Sequence, residues 1–334
     1  MKKLLDYYYH SFCSFTSWSI LFLTFTCSPF MEANTVVIPP SSNPNNFPIG
    51  DVFEMENHVE HINFALIHQL ILVEATVNQQ TGYFIIDTGA PNLVLNAPYF
   101  DTFDIPATKK EISVGVTGTS KNVRATDVAH FQFHSCEKRN FRARCIDLTH
   151  LEGVLDCKLL GLIGHEVLQN FELLIDYPQQ RLTFFNLDAQ GNRIDQTYSH
   201  LPDFMLDFEY AEHLPLVKAK VGKSKLKLAI DTGASTNLMD NRLRRKLWKF
   251  CQFKNMAKLN GTTSQQKRVL RGNINDLNVN GLKYYNLSAV FTELPNLRKE
   301  AGGKIDGLLG YEFLKYRRTA INFKKQQLYF WSGY

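Results

Sequence analysis

The sequence predicts a mainly β, bilobal fold: two homologous β-barrel lobes with short helices and a cleft between them. Three observations predict it. First, FIIDTGAPNLVLN (84–96) and LAIDTGASTNLMD (228–240) repeat one motif, an apolar strand running into Asp-Thr-Gly-Ala, 144 residues apart. Second, the repeat extends far beyond the motif. Upstream, INFALIHQLILVEATV (62–77) matches LDFEYAEHLPLVKAKV (206–221) at the same offset; downstream, GLIGHEVL (161–168) matches GLLGYEFL (307–314) and IDYPQQRLTFF (175–185) matches INFKKQQLYFW (321–331), at an offset of 146. Third, 44% hydrophobic and 13% aromatic residues in 334 suit two packed β cores.

The elements follow in order. Residues 1–31 read as an export signal, signal anchor or lipoprotein leader: Lys2 and Lys3 precede an uncharged stretch, Ser11 to Met31, whose most apolar part is Ile20–Phe25. Its Ser and Thr content weighs against a durable membrane span. Cys27 closes the apolar part where a lipid-carrying cysteine would stand, although Thr26 departs from the small residue that processing prefers; an ordinary cysteine in a discarded leader is the equal alternative. Membrane attachment through this leader stays open, and the chain is expected to be exported: periplasmic, membrane-anchored or secreted. Residues 32–58 are expected to be a tether, 35–50 being rich in Pro, Ser and Asn. The N-terminal lobe is placed at 59–187, a linker at 188–202 and the C-terminal lobe at 203–334.

The net charge of +5 is mild. Its one dense basic run is Arg242, Arg244, Arg245, Lys246 and Lys249, where Leu243, Leu247 and Phe250 recur at helical spacing. That pattern predicts an amphipathic helix with a solvated face, and no nucleic-acid partner. Cys136, Cys145, Cys157 and Cys251 match no zinc framework. A disulfide among the first three, with hairpin ends bringing Cys136 near Cys145, and buried free thiols are both open. His58, His61 and His68 sit at the polar entry to the first lobe, before a β-branched strand, and read as solvated side chains; no metal is expected.

The chemistry lies in Asp87 and Asp231. Two carboxylates delivered by copies of one strand–turn unit can face each other at the base of the cleft. Like charges so close cannot both ionise easily, so the pair would share one proton. Gly89 and Gly233 are expected to allow a tight turn and to aim backbone N–H groups at the carboxylates. Ile163-Gly164 and Leu309-Gly310 would pack behind the loops, their glycines letting backbones approach closely. VGVTGTSKNVR (114–124) and LNGTTSQQKRV (259–269) read as hairpin tips able to close over a bound chain.

These motifs resemble the retropepsin-like aspartic proteases, particularly the two-copy, single-chain members found in bacteria. The likeness covers about 60–187 and 203–334 and rests on two Asp-Thr-Gly-Ala motifs, each followed by its own Gly-Leu-Ile-Gly or Gly-Leu-Leu-Gly. It implies the bilobal acid-protease fold and an aspartic endopeptidase acting on a peptide or protein substrate, active as a single chain, without cofactor or metal. It implies Asp87 and Asp231 as catalytic and Thr88 and Thr232 as hydroxyls bonding across the lobes. Flap residues are Gly118, Thr119, Gly261, Thr262 and Thr263. Ala90 and Ala234 stand where pepsin-like chains often carry Ser or Thr, which implies a less acidic working range. The rival reading is a catalytically silent peptide-binding module on the same fold.

Overall fold

In the computed structural model, residues 53–104, 123–197, 200–259 and 267–332 are described, with the short strands Thr24–Phe25, Ser113–Val114 and Thr119–Ser120. Among the described residues, each lobe is built on one large sheet, and a third sheet joins them.

The first lobe shows how the sequence dictates its elements. Leu70–Val77 is apolar on both faces over its first half and buries every residue but Glu74 and Thr76. A hairpin turn through Asn78 and Gln79, both at positive φ, returns the chain into Gln80–Ile86. The strand Leu159–Ile163, buried throughout, runs parallel to Gln80–Ile86 and antiparallel to Val94–Asn96. The long hairpin Arg124–Phe133 and Cys136–Ile146 closes the sheet on itself.

The second lobe repeats this path. Leu214–Val221 pairs with Ser224–Ile230, and Gly307–Leu309 runs parallel to Ser224–Ile230 and antiparallel to Asn237–Asp240. The long hairpin is here broken into Lys267–Ile274, Leu277–Val279, Leu282–Tyr284 and Leu287–Thr292. The basic run folds as short helical turns over Asn241–Leu243, Arg244–Leu247 and Trp248–Phe250, with Leu243 and Leu247 buried and Trp248 62% exposed.

The joining sheet has six strands, in the order Phe204–Asp207, Gln327–Trp331, Arg318–Asn322, Phe171–Asp176, Arg181–Asn186 and Val59–Asn63. Each lobe supplies three. At the seam, Leu174 pairs with Ala320, and these two are repeat equivalents at the offset of 146. The pseudo-twofold relating the lobes therefore passes through that pair. Asn322 donates to Glu172 across the seam at 2.8 Å, and Arg193 of the connecting segment closes an ion pair on the same carboxylate. Apolar side chains from both lobes, Ile86 and Ile230 among them, form one continuous buried cluster.

Two expectations need adjusting. Phe53 and Met55, placed in the tether, are buried; Phe53 packs edge-on against Phe131 and Phe141. The first lobe therefore recruits chain ahead of residue 59, with Glu54–Met55 adding an edge strand beside Cys136–Glu137. Cys136 stands at a hairpin end, but Cys145 lies at the far end of the same continuous strand. Nine residues of strand hold them on the order of 30 Å apart, which excludes a bond between them. All four described cysteines are free, and burial pushes the Cys136 and Cys145 thiols up to about 12. His68 lies in the turn before Leu70 at positive φ, while His61 bonds the Thr183 hydroxyl at 2.9 Å. Among the described residues no group of three metal-ligating side chains gathers, and no helix is long and apolar enough to cross a membrane.

Candidate active site

Asp87 and Asp231 each follow directly on a buried strand, Gln80–Ile86 and Ser224–Ile230. The strand passing beneath each loop holds it: Asp87 N–H donates to Ile163 O and Asp231 N–H to Leu309 O, both at 3.0 Å. One residue on, Gly164 and Gly310 press so closely on the Ala90 and Ala234 carbonyls that a Cβ would strike them. The short helices His165–Leu168 and Tyr311–Leu314 then begin by donating N–H groups to those same carbonyls, at 2.7 and 2.9 Å. Their Val167, Leu168, Phe313 and Leu314 side chains are buried.

The two loops are cross-bonded reciprocally. Thr88 Oγ1 donates to Ile230 O at 3.2 Å and accepts from Thr232 N–H at 3.0 Å. Thr232 Oγ1 donates to Ile86 O at 2.8 Å and accepts from Thr88 N–H at 3.0 Å. These four bonds span the lobes and leave neither hydroxyl idle.

They bring the carboxyl groups within hydrogen-bonding reach of each other. Asp87 Oδ1 accepts N–H groups from Gly89 and Ala90 at 2.8 and 3.1 Å, and Asp231 Oδ1 accepts from Gly233 at 2.9 Å. Oδ2 of each carboxyl has no other protein partner among the described residues. Both groups are fully buried. Burial raises both well above the ordinary carboxylate range, and the charge of Asp87 raises Asp231 further, against the opposing pull of the backbone N–H bonds. A pair so arranged holds one proton between two oxygen-bearing groups and can give and take protons in turn.

Gly89 and Gly233 do lie in tight turns, closed by Ala90 N–H to Asp87 O at 3.2 Å and Ala234 N–H to Asp231 O at 3.3 Å, and aim their N–H groups at the carboxylates, but the turn itself does not require glycine. Neither has positive φ. Each lies against the carboxyl of the other lobe, where no side chain fits. Of the flap residues, Thr119 sits on Thr119–Ser120, paired antiparallel with Ser113–Val114. Gly118, Gly261, Thr262 and Thr263 lie outside the described residues, although the stems of the second hairpin, Cys251–Leu259 and Lys267–Ile274, pair as expected. Cys27 also lies outside them.

Three supporting polar residues escaped the sequence reading. Buried Asn96 donates to Leu159 O and accepts from Leu148 N–H, both at 2.8 Å. Asn237 donates to Ser288 O at 2.8 Å and accepts from Gly310 N–H at 2.9 Å. A polar residue at one end of a short apolar strand was the available signal for both. The third, His213, reaches from the second lobe to the Gly89 carbonyl at 2.7 Å; its partner is 124 residues away, and no local pattern announces it.

No curated protein matches the chain. Among solved structures, the aspartic proteinase from Irpex lacteus is similar, with a TM-score of 0.47 and 12% identity over 82% of this chain and 97% of that one. The aspartyl protease family model matches twice, at residues 73–167 and 217–313, each copy holding one Asp-Thr-Gly-Ala loop and its supporting strand. With more than half its length matched and each match containing one half of the carboxyl pair, the chain belongs to the aspartyl protease family.

Proposed function

We propose that the protein is an active aspartic endopeptidase whose dyad, Asp87 and Asp231, hydrolyses peptide bonds by general acid–base catalysis. The observation that carries this reading is the mutual approach of two buried carboxyls on reciprocally bonded loops. In the singly protonated pair, the ionised carboxylate takes a proton from water, which attacks the scissile carbonyl carbon. The protonated partner donates to the carbonyl oxygen as it gains charge, and a gem-diol forms. Collapse breaks the C–N bond as the ionised carboxylate takes a gem-diol proton and the carbonyl re-forms, and the amine leaves carrying the proton held by the other carboxyl. No covalent enzyme intermediate is involved.

One chain carries both halves of the dyad and both halves of the joining sheet, so the active unit is a monomer. Its substrate is a peptide or protein segment lying between the lobes, and the leader directs the lobes outside the cytoplasm. Peptide-library profiling of the full chain, beside Asp87→Asn and Asp231→Asn, is the test. Each variant should lose at least about a thousandfold in kcat/KM. A folded single variant that keeps most of the cleavage would refute the shared dyad, and a wild-type chain that binds peptides without cleaving them would favour the silent module. Specific activity should stay constant on dilution; a collapse accompanying dimer dissociation would refute the monomer.

A further inference from the structure

His213 lies in the turn between Glu209–Ala211 and Leu214–Val221 of the second lobe and is 8% exposed. Its Nε2 is 2.7 Å from the carbonyl oxygen of Gly89 in the first lobe. A carbonyl can only accept, so Nε2 must carry the proton. That carbonyl belongs to the same peptide unit as the Ala90 N–H, which donates to Asp87 Oδ1 at 3.1 Å. A hydrogen bond accepted at one end of a peptide polarises it and strengthens the bond donated at the other. The pseudo-twofold does not repeat this arrangement: Gln69 occupies the equivalent position in the first lobe.

We infer that His213 is a positioning residue for the dyad: through the Gly89–Ala90 peptide it orients and strengthens a donor to Asp87, so that Asp87 is the favoured site of the negative charge. The inference rests on the protease reading for its catalytic meaning, while the hydrogen-bond relay stands on geometry alone. It supplies one difference between two carboxyls carried by repeated loops, beside the change from Pro91 to Ser235. The surroundings keep the imidazole neutral. Among the described residues Nδ1 has no hydrogen-bond partner, the His165 ring is 6.3 Å away across the lobe boundary, and burial holds the His213 ring down to about 4. Glu212 and Lys324 border the neighbouring cavity with His165 and Tyr210, and the dyad itself lies beyond the Gly89–Ala90 peptide.

The test compares full-length wild type, His213→Gln and His213→Leu. Gln can place an amide N–H near the Nε2 position, whereas Leu cannot donate. In pH profiles of kcat/KM, His213→Leu should move the acid limb upward by about one unit, read as a roughly tenfold lower rate on that limb. His213→Gln should restore most of it. Carboxyl 13C NMR should show the same upward displacement of the dyad titration in His213→Leu, whether or not a cleavable substrate has been found. An acid limb and titration unmoved in folded His213→Leu, or moved equally by His213→Gln, would overturn the inference. Should His213→Leu not fold, imidazole 15N NMR of the wild type decides: the Nε2–H tautomer is expected, and the Nδ1–H tautomer would overturn the relay. Absence of cleavage by the wild type, with the NMR results as expected, would instead count against the protease reading.

Discussion

A Cβ placed on Gly89 would lie 2.7 Å from Oδ1 of Asp231, in the opposite lobe. Each lobe's glycine forms part of the wall against which the other lobe's carboxyl rests. Gly89→Ala and Gly233→Ala should therefore force the carboxyls apart, with kcat/KM falling at least about a hundredfold and stability by about 1–3 kcal/mol. Steady-state kinetics and denaturant midpoints check this. Near-normal turnover in either variant would show that the contact does not constrain the dyad.

Thr88→Val and Thr232→Val each remove a hydroxyl that donates to one interlobe carbonyl and accepts one interlobe N–H. Each leaves two buried backbone groups without a partner and should cost about 1–3 kcal/mol or more, lowering the melting temperature while some activity survives. The double variant should cost less than the sum of the two, because either change already breaks the reciprocal set. Strict additivity in a double-mutant cycle would mean that the two hydroxyls act independently.

The dyad should make the fold less stable as pH rises. Both carboxyls titrate higher in the folded protein than the ordinary value of 3.8, so above that pH the folded state holds protons that the unfolded state has released. Stability then falls with increasing pH until the folded pair ionises. Asp87→Asn should melt higher than wild type at neutral pH, and this gain should vanish below about pH 3.8. Melting curves across pH measure it, and a pH-independent difference would contradict the linkage.

His165 carries the opposite sign. Its ring packs edge-on against Tyr210 and Phe323, and burial, with His213 nearby, lowers it from 6.5 to about 4. The folded state therefore binds fewer protons than the unfolded one in that window, and stability should be lost as pH falls from about 6.5 to about 4. His165→Phe keeps the ring packing and should flatten this part of the stability profile. An unchanged slope would mean that the ring is not held neutral.

Ala90→Ser with Ala234→Ser should move the acid limb of kcat/KM downward. A hydroxyl beside each carboxyl can donate to it and favour the ionised form. Both alanines are fully buried beside the dyad, so the new donors would act with little competition from solvent. An acid limb that stays put or rises would show that the missing hydroxyls do not set the working range.

The sequence by itself determined the duplication, the mainly β class, and the pairing of Asp87 with Asp231 and Thr88 with Thr232. These were legible because strand periodicity and a repeated motif are local patterns, written twice. Ile163-Gly164 and Leu309-Gly310 were readable for the same reason: apolar residues followed by glycine signal a buried strand meeting another backbone closely. Tertiary structure alone decided the rest. The reason for Gly89 is the Asp231 carboxyl 142 residues further along the chain, not its own turn. Cys136 and Cys145 lie apart because the strand between them continues where spacing allowed a hairpin. The seam pair Leu174 and Ala320, and the bond from His213 to Gly89 that breaks the symmetry, depend on how the two lobes dock. Docking is set by surface complementarity between distant segments, and such contacts leave no periodic trace along the chain.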